Sequence, residues 1–271
     1  MRLGLIGCGS IGSAVVKAIA SGCLPGIELA GIAGLARSEA AARVAKTVSC
    51  PFFADVPSLL SIKPDLVLET ASADAVRSFA TDIFESGADL MMVSVGALAD
   101  ADFFDRLIEQ AKRKSRRLYV PSGAIGGLDI IKAASLGGLE ECRLTTTKPP
   151  QALSGAPYVR QQDIDLEAIR EPTVIFEGTA RQAVGCFPQN VNVAATISLA
   201  GLGLDRTTVR IIADPTATRN VHEVFVRGNF GEATVRLVNQ PNLDNPKSSY
   251  LASLSVIATL QCVSRQFQLG T

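Results

Sequence analysis

The chain is short of several things: it has one histidine, no CxxC pair, no surplus of either charge and no long apolar run. Each shortage removes a class of function. Lys+Arg and Asp+Glu both number 26, a formal net charge of zero, so no basic excess is available to hold a phosphate backbone. The run Lys112-Arg-Lys-Ser-Arg-Arg117 reads as a solvated helix end, and no nucleic-acid partner is expected. Cys8, Cys23, Cys50, Cys142, Cys186 and Cys262 are scattered without a pairing pattern, which argues against a zinc site or a disulfide framework and suits a reducing compartment. No apolar run reaches the ~18 to 20 residues that span a bilayer. The first one is broken by glycines and runs straight into a turn pattern, so it reads as a core strand and not as a signal peptide. The expectation is a cytoplasmic protein with no membrane partner. No internal repeat or low-complexity tract is visible.

What is present begins at Arg2. Apolar residues from Leu3 to Ile6 lead into Gly7, Gly9 and Gly12 in GxGxxG spacing, and a helical pattern follows from Ile11 to Ala20. The first glycine permits the strand-to-helix turn, the second lets a pyrophosphate approach the backbone, and the third lets the helix pack close on the strand. Gly7, Gly9, Ser10, Ile11 and Gly12 are therefore cofactor-binding candidates, with the helix N-terminus facing the phosphates.

With 271 residues and 47% hydrophobic content, the chain can form one large or two medium domains. Strand and helix alternate through the first half: strands at 27–33, 65–69, 89–95 and 117–120, and helices at 38–46, 74–86 and 100–113, the first of these with Ser38 as N-cap. Continuous apolar strands between helices predict a parallel sheet covered on both faces, a doubly wound Rossmann fold over residues 1–121. Small-residue loops follow three of the strands: Glu69-Thr-Ala71-Ser72, Ser94-Val-Gly-Ala-Leu98 and Pro121-Ser122-Gly123-Ala124-Ile-Gly-Gly127. They belong at the ligand-binding edge of such a sheet, which makes Ala71 a further cofactor candidate. The second strand ends in Gly31-Ile-Ala-Gly-Leu-Ala-Arg37-Ser38, without the carboxylate that NAD enzymes use for the ribose hydroxyls. Arg37 and Ser38 suit a 2′-phosphate, so either NAD or NADP is expected, with NADP accepted.

From residue 122 to 245 the pattern predicts an α+β domain on a largely antiparallel sheet, with strands at 142–147, 173–176, 208–213, 221–227 and 233–238 and helices near 127–136, after 179 and at 190–199. Such a sheet has one open face. An apolar open face would pair with a second copy, so a homodimer is expected. A last helix, from 248 to about 265, puts Leu251, Leu254, Ala258 and Gln261 on one face and is expected to pack back on the first domain.

Candidates for the chemistry are few. His222 shares a strand face with Val224 and Val226. It reads either as a satisfied sheet histidine or as the one imidazole able to manage a proton beside a hydride transfer. Lys148, ahead of Pro149-Pro150, reads as a solvated strand-end lysine or as a carboxylate clamp. Asn190 and Asn192 stand at a helix start. Cys142 and Cys186 read as structural thiols, with a nucleophile of the aldehyde-dehydrogenase kind as the alternative.

Taken in order, Gly7-Cys-Gly-Ser-Ile-Gly12, Ser94-Val-Gly-Ala97, Pro121-Ser-Gly-Ala-Ile-Gly-Gly-Leu-Asp129, Thr146-Thr-Lys-Pro-Pro150, Phe187-Pro-Gln-Asn-Val-Asn-Val-Ala-Ala195, Ala213-Asp-Pro215, Asn220-Val-His-Glu223 and Asn245-Pro-Lys-Ser248 resemble the L-aspartate dehydrogenase family almost end to end. The resemblance implies oxidative deamination of L-aspartate to iminoaspartate, which gives oxaloacetate and ammonia or feeds quinolinate synthesis. It implies that His222 is the active-site histidine and that Ala124 and Asn190 contact the cofactor. On this reading nicotinamide lies against Ser122, Gly123 and Ala124, while Ser122, Gly123, Lys148 and Asn192 meet the substrate. Competing readings are a dihydrodipicolinate-type or homoserine-type dehydrogenase, a thiol-dependent aldehyde dehydrogenase, and a non-catalytic dinucleotide sensor.

Overall fold

Four-residue apolar stretches such as Leu66–Glu69 and Asp89–Met92 are buried almost throughout, because helices cover both faces of the sheet they build. The computed structural model describes residues 1–34, 39–187, 191–242 and 245–270. Among them the chain divides into two units, residues 1–123 with 252–269, and residues 124–251 with 270.

The first unit carries strands β1 (Arg2–Ile6), β2 (Glu28–Ala33), β3 (Phe52–Phe53), β4 (Leu66–Glu69), β5 (Asp89–Met92) and β6 (Leu118–Tyr119). They form a parallel sheet in the order β3-β2-β1-β4-β5-β6. Between them run α1 (Ser10–Ala20), α2 (Glu39–Thr47), α3 (Val56–Ser61), α4 (Ala73–Glu85) and α5 (Ala101–Arg113). The order reverses at β1, between β2 and β4, so the loops after β1 and β4 open on the switch point where such sheets take ligands. Asp55, Ser72 and Asp100 cap α3, α4 and α5 by accepting backbone N–H bonds. Strand β3 and helix α3 have no counterpart in the sequence reading: two residues are too few for a periodic signal, and α3 is a six-residue helix.

The second unit carries α6 (Leu128–Leu136), β7 (Leu139–Lys148), α7 (Pro157–Gln161), β8 (Thr173–Thr179), α8 (Ala180–Cys186), α9 (Val191–Ala200), β9 (Thr208–Ala213), β10 (Val221–Gly228) and β11 (Gly231–Val238). The sheet order is β11-β10-β7-β9-β8, antiparallel except for the β7–β9 pair. A small hairpin, β12 (Pro241–Asn242) with β13 (Asn245–Ser249), leads to α10 (Tyr250–Ser264). Tyr158, Phe176 and Phe187 pack edge to face and tilted, with centroids 5.2 to 5.5 Å apart.

Two expectations are corrected. Helix α10 does not bury the face that contains Leu254 and Ala258. Leu254 is 41% exposed, Ala258 is exposed, and the buried positions are Ser253, Ser255, Val256 and Leu260. Val256 and Leu260 join the core of the first unit beside Leu3, Leu5 and Val15. Ser255 is buried with its hydroxyl satisfied, donating to the Ala252 carbonyl at 2.8 Å and accepting from Gly123 N at 3.0 Å. The open face of the second sheet, in turn, is not apolar. It presents Arg143, Thr145, Thr147, Arg210, Glu223 and Arg236 around an open cavity of about 590 Å³. Glu141 pairs there with Arg143 and Arg227, and Glu177 with Arg210. Strict alternation sends every charged residue of β9, β10 and β11 to this side.

Candidate functional site

Gly7, at φ 81°, adopts the left-handed turn that ends β1. A Cβ there would stand 2.9 Å from the Cβ of Ala71. At Gly12 a Cβ would meet the Gly7 carbonyl oxygen at 2.7 Å and Thr70 Oγ1 at 2.9 Å, so α1 packs on the loops after β1 and β4 only because residue 12 has no side chain. Gly9 is the opposite case. Nothing lies within 4 Å of its missing Cβ, it caps α1 without a side-chain bond, and no acidic residue stands in the first turn of that helix. An uncovered helix N-terminus behind an open glycine is the cradle a pyrophosphate needs, so these residues fit a dinucleotide. Bound there, a pyridine nucleotide supplies hydride transfer.

Ala71 belongs to the loop after β4, and that loop is fixed from two sides. Thr70 Oγ1 donates to the Gly7 carbonyl at 2.9 Å. Glu69, at the end of β4, is 1% exposed and accepts from Ala71 N at 2.7 Å, Ser94 N at 3.1 Å and Ser94 Oγ at 2.8 Å. One carboxylate therefore ties the loops after β4 and β5 together at the ligand edge. Burial holds its carboxyl above the ordinary carboxylate range, and the bonds from Ser94 and Ala71 offset only part of that rise. The sequence reading passed over Glu69, although a glutamate closing the apolar run Leu66-Val-Leu was a visible signal. Of the loop at 121–127, Gly123 N is held by Ser255 Oγ at 3.0 Å in the first unit. In the second unit the Ala124 carbonyl accepts from Asn239 Nδ2 at 3.0 Å, and Asn239 Oδ1 accepts from Ser249 Oγ at 3.0 Å. Ser122 is partly exposed. Arg37, Ser38 and Asn190 lie outside the described residues.

In the second unit the inner face of the sheet gathers the polar candidates. His222 lies directly opposite Thr146 in the β10–β7 register, and its Nδ1 is 3.0 Å from Thr146 Oγ1. Lys148 follows two residues along β7, on the same face. Thr146 is fully buried, and His222 and Lys148 are each 5% exposed. Cys142 and Leu144 share this face with them, and both are buried. Those two residues fix the phase of β7, so Thr146 points in while Thr145 and Thr147 point out, and the inward lysine was legible from the alternation. Glu223, adjacent to His222 in sequence, lies on the opposite side. Asn192 is exposed on the first turn of α9. Cys142 is a buried thiol that burial pushes up to about 11, far from a nucleophile at neutral pH; Cys186 is half-buried.

Burial, helped by the Lys148 charge, holds the His222 imidazole down to about 4 from an ordinary 6.5. The folded state therefore binds fewer protons than the unfolded state between these values, and stability falls as pH drops from 6.5 towards 4, by roughly 3 kcal/mol at 1.36 kcal/mol per unit. Denaturant unfolding at pH 7 and pH 4.5 measures this. The slope shrinks in His222→Gln, and an unchanged slope in that variant contradicts the assignment.

Comparisons with known proteins follow the same division. Residues 7–121 match the family described as homoserine dehydrogenase, NAD binding domain, and residues 129–263 match aspartate dehydrogenase, C-terminal. The chain is 45% identical to an L-aspartate dehydrogenase of Methanosarcina mazei and 40% identical to one of Nitrosopumilus maritimus. It is covered fully in both alignments, which span 100% and 99% of those proteins. Among solved structures it is similar to aspartate dehydrogenase of Thermotoga maritima, with a TM-score of 0.76 and 28% identity over 100% of this chain and 99% of that one.

Proposed function

From the premise that the chain belongs to the aspartate dehydrogenase family, we propose that it oxidises L-aspartate with NAD(P) to iminoaspartate, which hydrolyses to oxaloacetate and ammonia. The observation that carries this reading is the inward pair His222 and Lys148, the two basic side chains on an otherwise apolar or small-residue sheet face. A dicarboxylic amino acid brings two carboxylates and an ammonium, and a buried neutral imidazole beside a buried amine answers both kinds of group.

In the first unit Gly7, Gly9 and Gly12 hold the dinucleotide, with Ser10 and Ile11 in the first turn of α1 and Ala71 in the loop after β4, and Ala124 of the second unit also contacts it. Asn190 joins them. Ser122, Gly123 and Asn192 complete the substrate contacts. His222 is held at Nδ1 by Thr146, which leaves Nε2 for the substrate. Arg37 and Ser38 accept the 2′-phosphate of NADP. On this account Arg37→Ala raises the Michaelis constant for NADP about tenfold and leaves that for NAD unchanged, in initial-rate measurements with each cofactor. Equal constants in wild type and variant overturn the NADP role.

The enzyme works in the cytoplasm, where its iminoaspartate enters NAD biosynthesis. No helix among the described residues is long and apolar enough to cross a membrane. It assembles as a homodimer through the open face of the second sheet, whose arginines and carboxylates alternate in sign and can meet a second copy in complementary register.

The test is NAD(P)H formation at alkaline pH with L-aspartate, D-aspartate, L-glutamate and homoserine side by side. L-Aspartate is expected to give the highest kcat/KM by at least tenfold. A preference for homoserine contradicts the reading, and so does the absence of turnover with every substrate.

A further inference from the structure

Lys148 is a buried cation whose charge nothing among the described residues balances. It is 5% exposed, and among the described residues no carboxylate pairs with its Nζ within 4 Å. Its neighbours explain why. On β9 the residue opposite is Ala213, and Val209 and Ile211 share that face while Arg210 does not. On β10 the inward residues are His222, Val224 and Val226, with Glu223 and Arg227 on the other side. On β11 the residue opposite His222 is Leu237, and Arg236 faces away. Helix α9 has no charged residue, and Asp129 and Lys132 of α6 are exposed. Farther along β7 the inward Cys142 lies about 20 Å away at ~3.3 Å per residue. Asp214, whose N–H donates to the Lys148 carbonyl at 2.9 Å, lines the outer cavity, so among the described residues the one titratable side chain beside Lys148 is His222. Fold stability gains nothing from such a lysine, because an unpaired buried charge is costly.

We propose that Lys148 is the proton acceptor of the reaction and that His222 is the neutral hydrogen-bonding anchor beside it, an inference that rests on the aspartate dehydrogenase reading above. In the step assigned here the Nζ lone pair of neutral Lys148 takes a proton from the substrate's α-ammonium. One substrate N–H bond breaks and one forms on Nζ. The freed nitrogen lone pair becomes the second bond of C=N as the Cα hydrogen leaves with its electron pair for the oxidised dinucleotide. Lys148 then returns the proton to water. In the tautomer assigned here Thr146 donates to Nδ1 and the ring proton of His222 is on Nε2, where it can donate to a substrate carboxylate.

The alternative role, a carboxylate clamp, has the opposite pH dependence. A clamp needs the ammonium form and fails as pH rises. An acceptor needs the free amine and fails as pH falls. Burial holds the Lys148 amine down to about 8 from an ordinary 10.5, within reach of both tests.

The direct readout uses lysine labelled with ¹³C at Cε in the full-length protein without cofactor. The resonance missing from Lys148→Arg titrates near pH 8 in wild type. The kinetic readout is kcat/KM for L-aspartate against pH. Wild type rises through an acid limb near 8, and Lys148→Met and Lys148→Arg lose that limb together with about 10²- to 10⁴-fold in rate. Dinucleotide binding, followed by NADPH fluorescence, stays within twofold. Lys148→Met melts at a higher temperature than wild type at pH 7, which separates lost chemistry from lost folding. An acid limb retained in Lys148→Arg, or a Lys148 midpoint near 10.5, overturns the proton-acceptor role while leaving aspartate oxidation standing. A wild type that oxidises no aspartate overturns both.

Discussion

Replacing His222 by alanine lowers kcat for L-aspartate about 10²- to 10⁴-fold and leaves dinucleotide affinity unchanged. The range is what a positioned proton-handling or orienting group contributes. The split between the two readouts follows from the division of the chain, since His222 is on β10 of the second unit and the glycine loop is in the first. His222→Asn tests the anchor role further, because an amide can still donate to a carboxylate but does not titrate. It is expected to recover at least tenfold over alanine. Thr146→Val, which removes the partner of Nδ1, costs less, about tenfold in kcat, by freeing the ring to turn. Steady-state kinetics with L-aspartate and a fluorescence titration with NADPH check all three. Full activity in His222→Ala removes the imidazole from the mechanism.

Glu69→Ala has the second large effect, on stability and on the cofactor together. Two backbone N–H groups and one hydroxyl lose their acceptor at a buried position. Each orphaned donor costs about 1 to 3 kcal/mol, offset in part by removing a carboxyl that burial itself disfavours. A net loss of about 3 kcal/mol is expected in urea unfolding. Because the same carboxylate joins the loops after β4 and β5 at the ligand edge, NADPH affinity falls about tenfold. Glu69→Gln is milder, at about 1 kcal/mol, since its carbonyl keeps one acceptor while its amide faces a donor. Wild-type stability in Glu69→Ala contradicts the tie between the two loops.

Much of this was written in the residues, and the parts that were not have identifiable reasons. The parallel sheet was legible because strands covered on both faces read as unbroken apolar runs, and Gly7, Gly9 and Gly12 stood between such a strand and a helix. In the second sheet Val224 and Val226 set the phase of β10, and His222 follows it inward. Thr145, Thr146 and Thr147 hid the phase of β7, because three identical residues carry no alternation of their own, and the inward side is read only from Cys142 and Leu144. The face of α10 was misread because its buried stripe includes Ser253 and Ser255, while Leu254 is left to solvent. Polar-looking residues bury where a short side chain can bond its own helix. The end of the apolar run Leu66-Val-Leu marks Glu69 in the sequence, but its role as a tie is not legible there, because its donors come from loops after two different strands.

The most direct test of the account is isotope transfer from L-aspartate deuterated at Cα. Incubation with NADP⁺ or NAD⁺ is predicted to place one deuterium on the reduced nicotinamide ring for each oxaloacetate and ammonia released, and His222→Ala is predicted to slow that transfer in step with kcat. Reduced dinucleotide that carries no deuterium, or oxaloacetate formed without it, would contradict hydride transfer from the amino-acid carbon and with it the assigned role of the second unit.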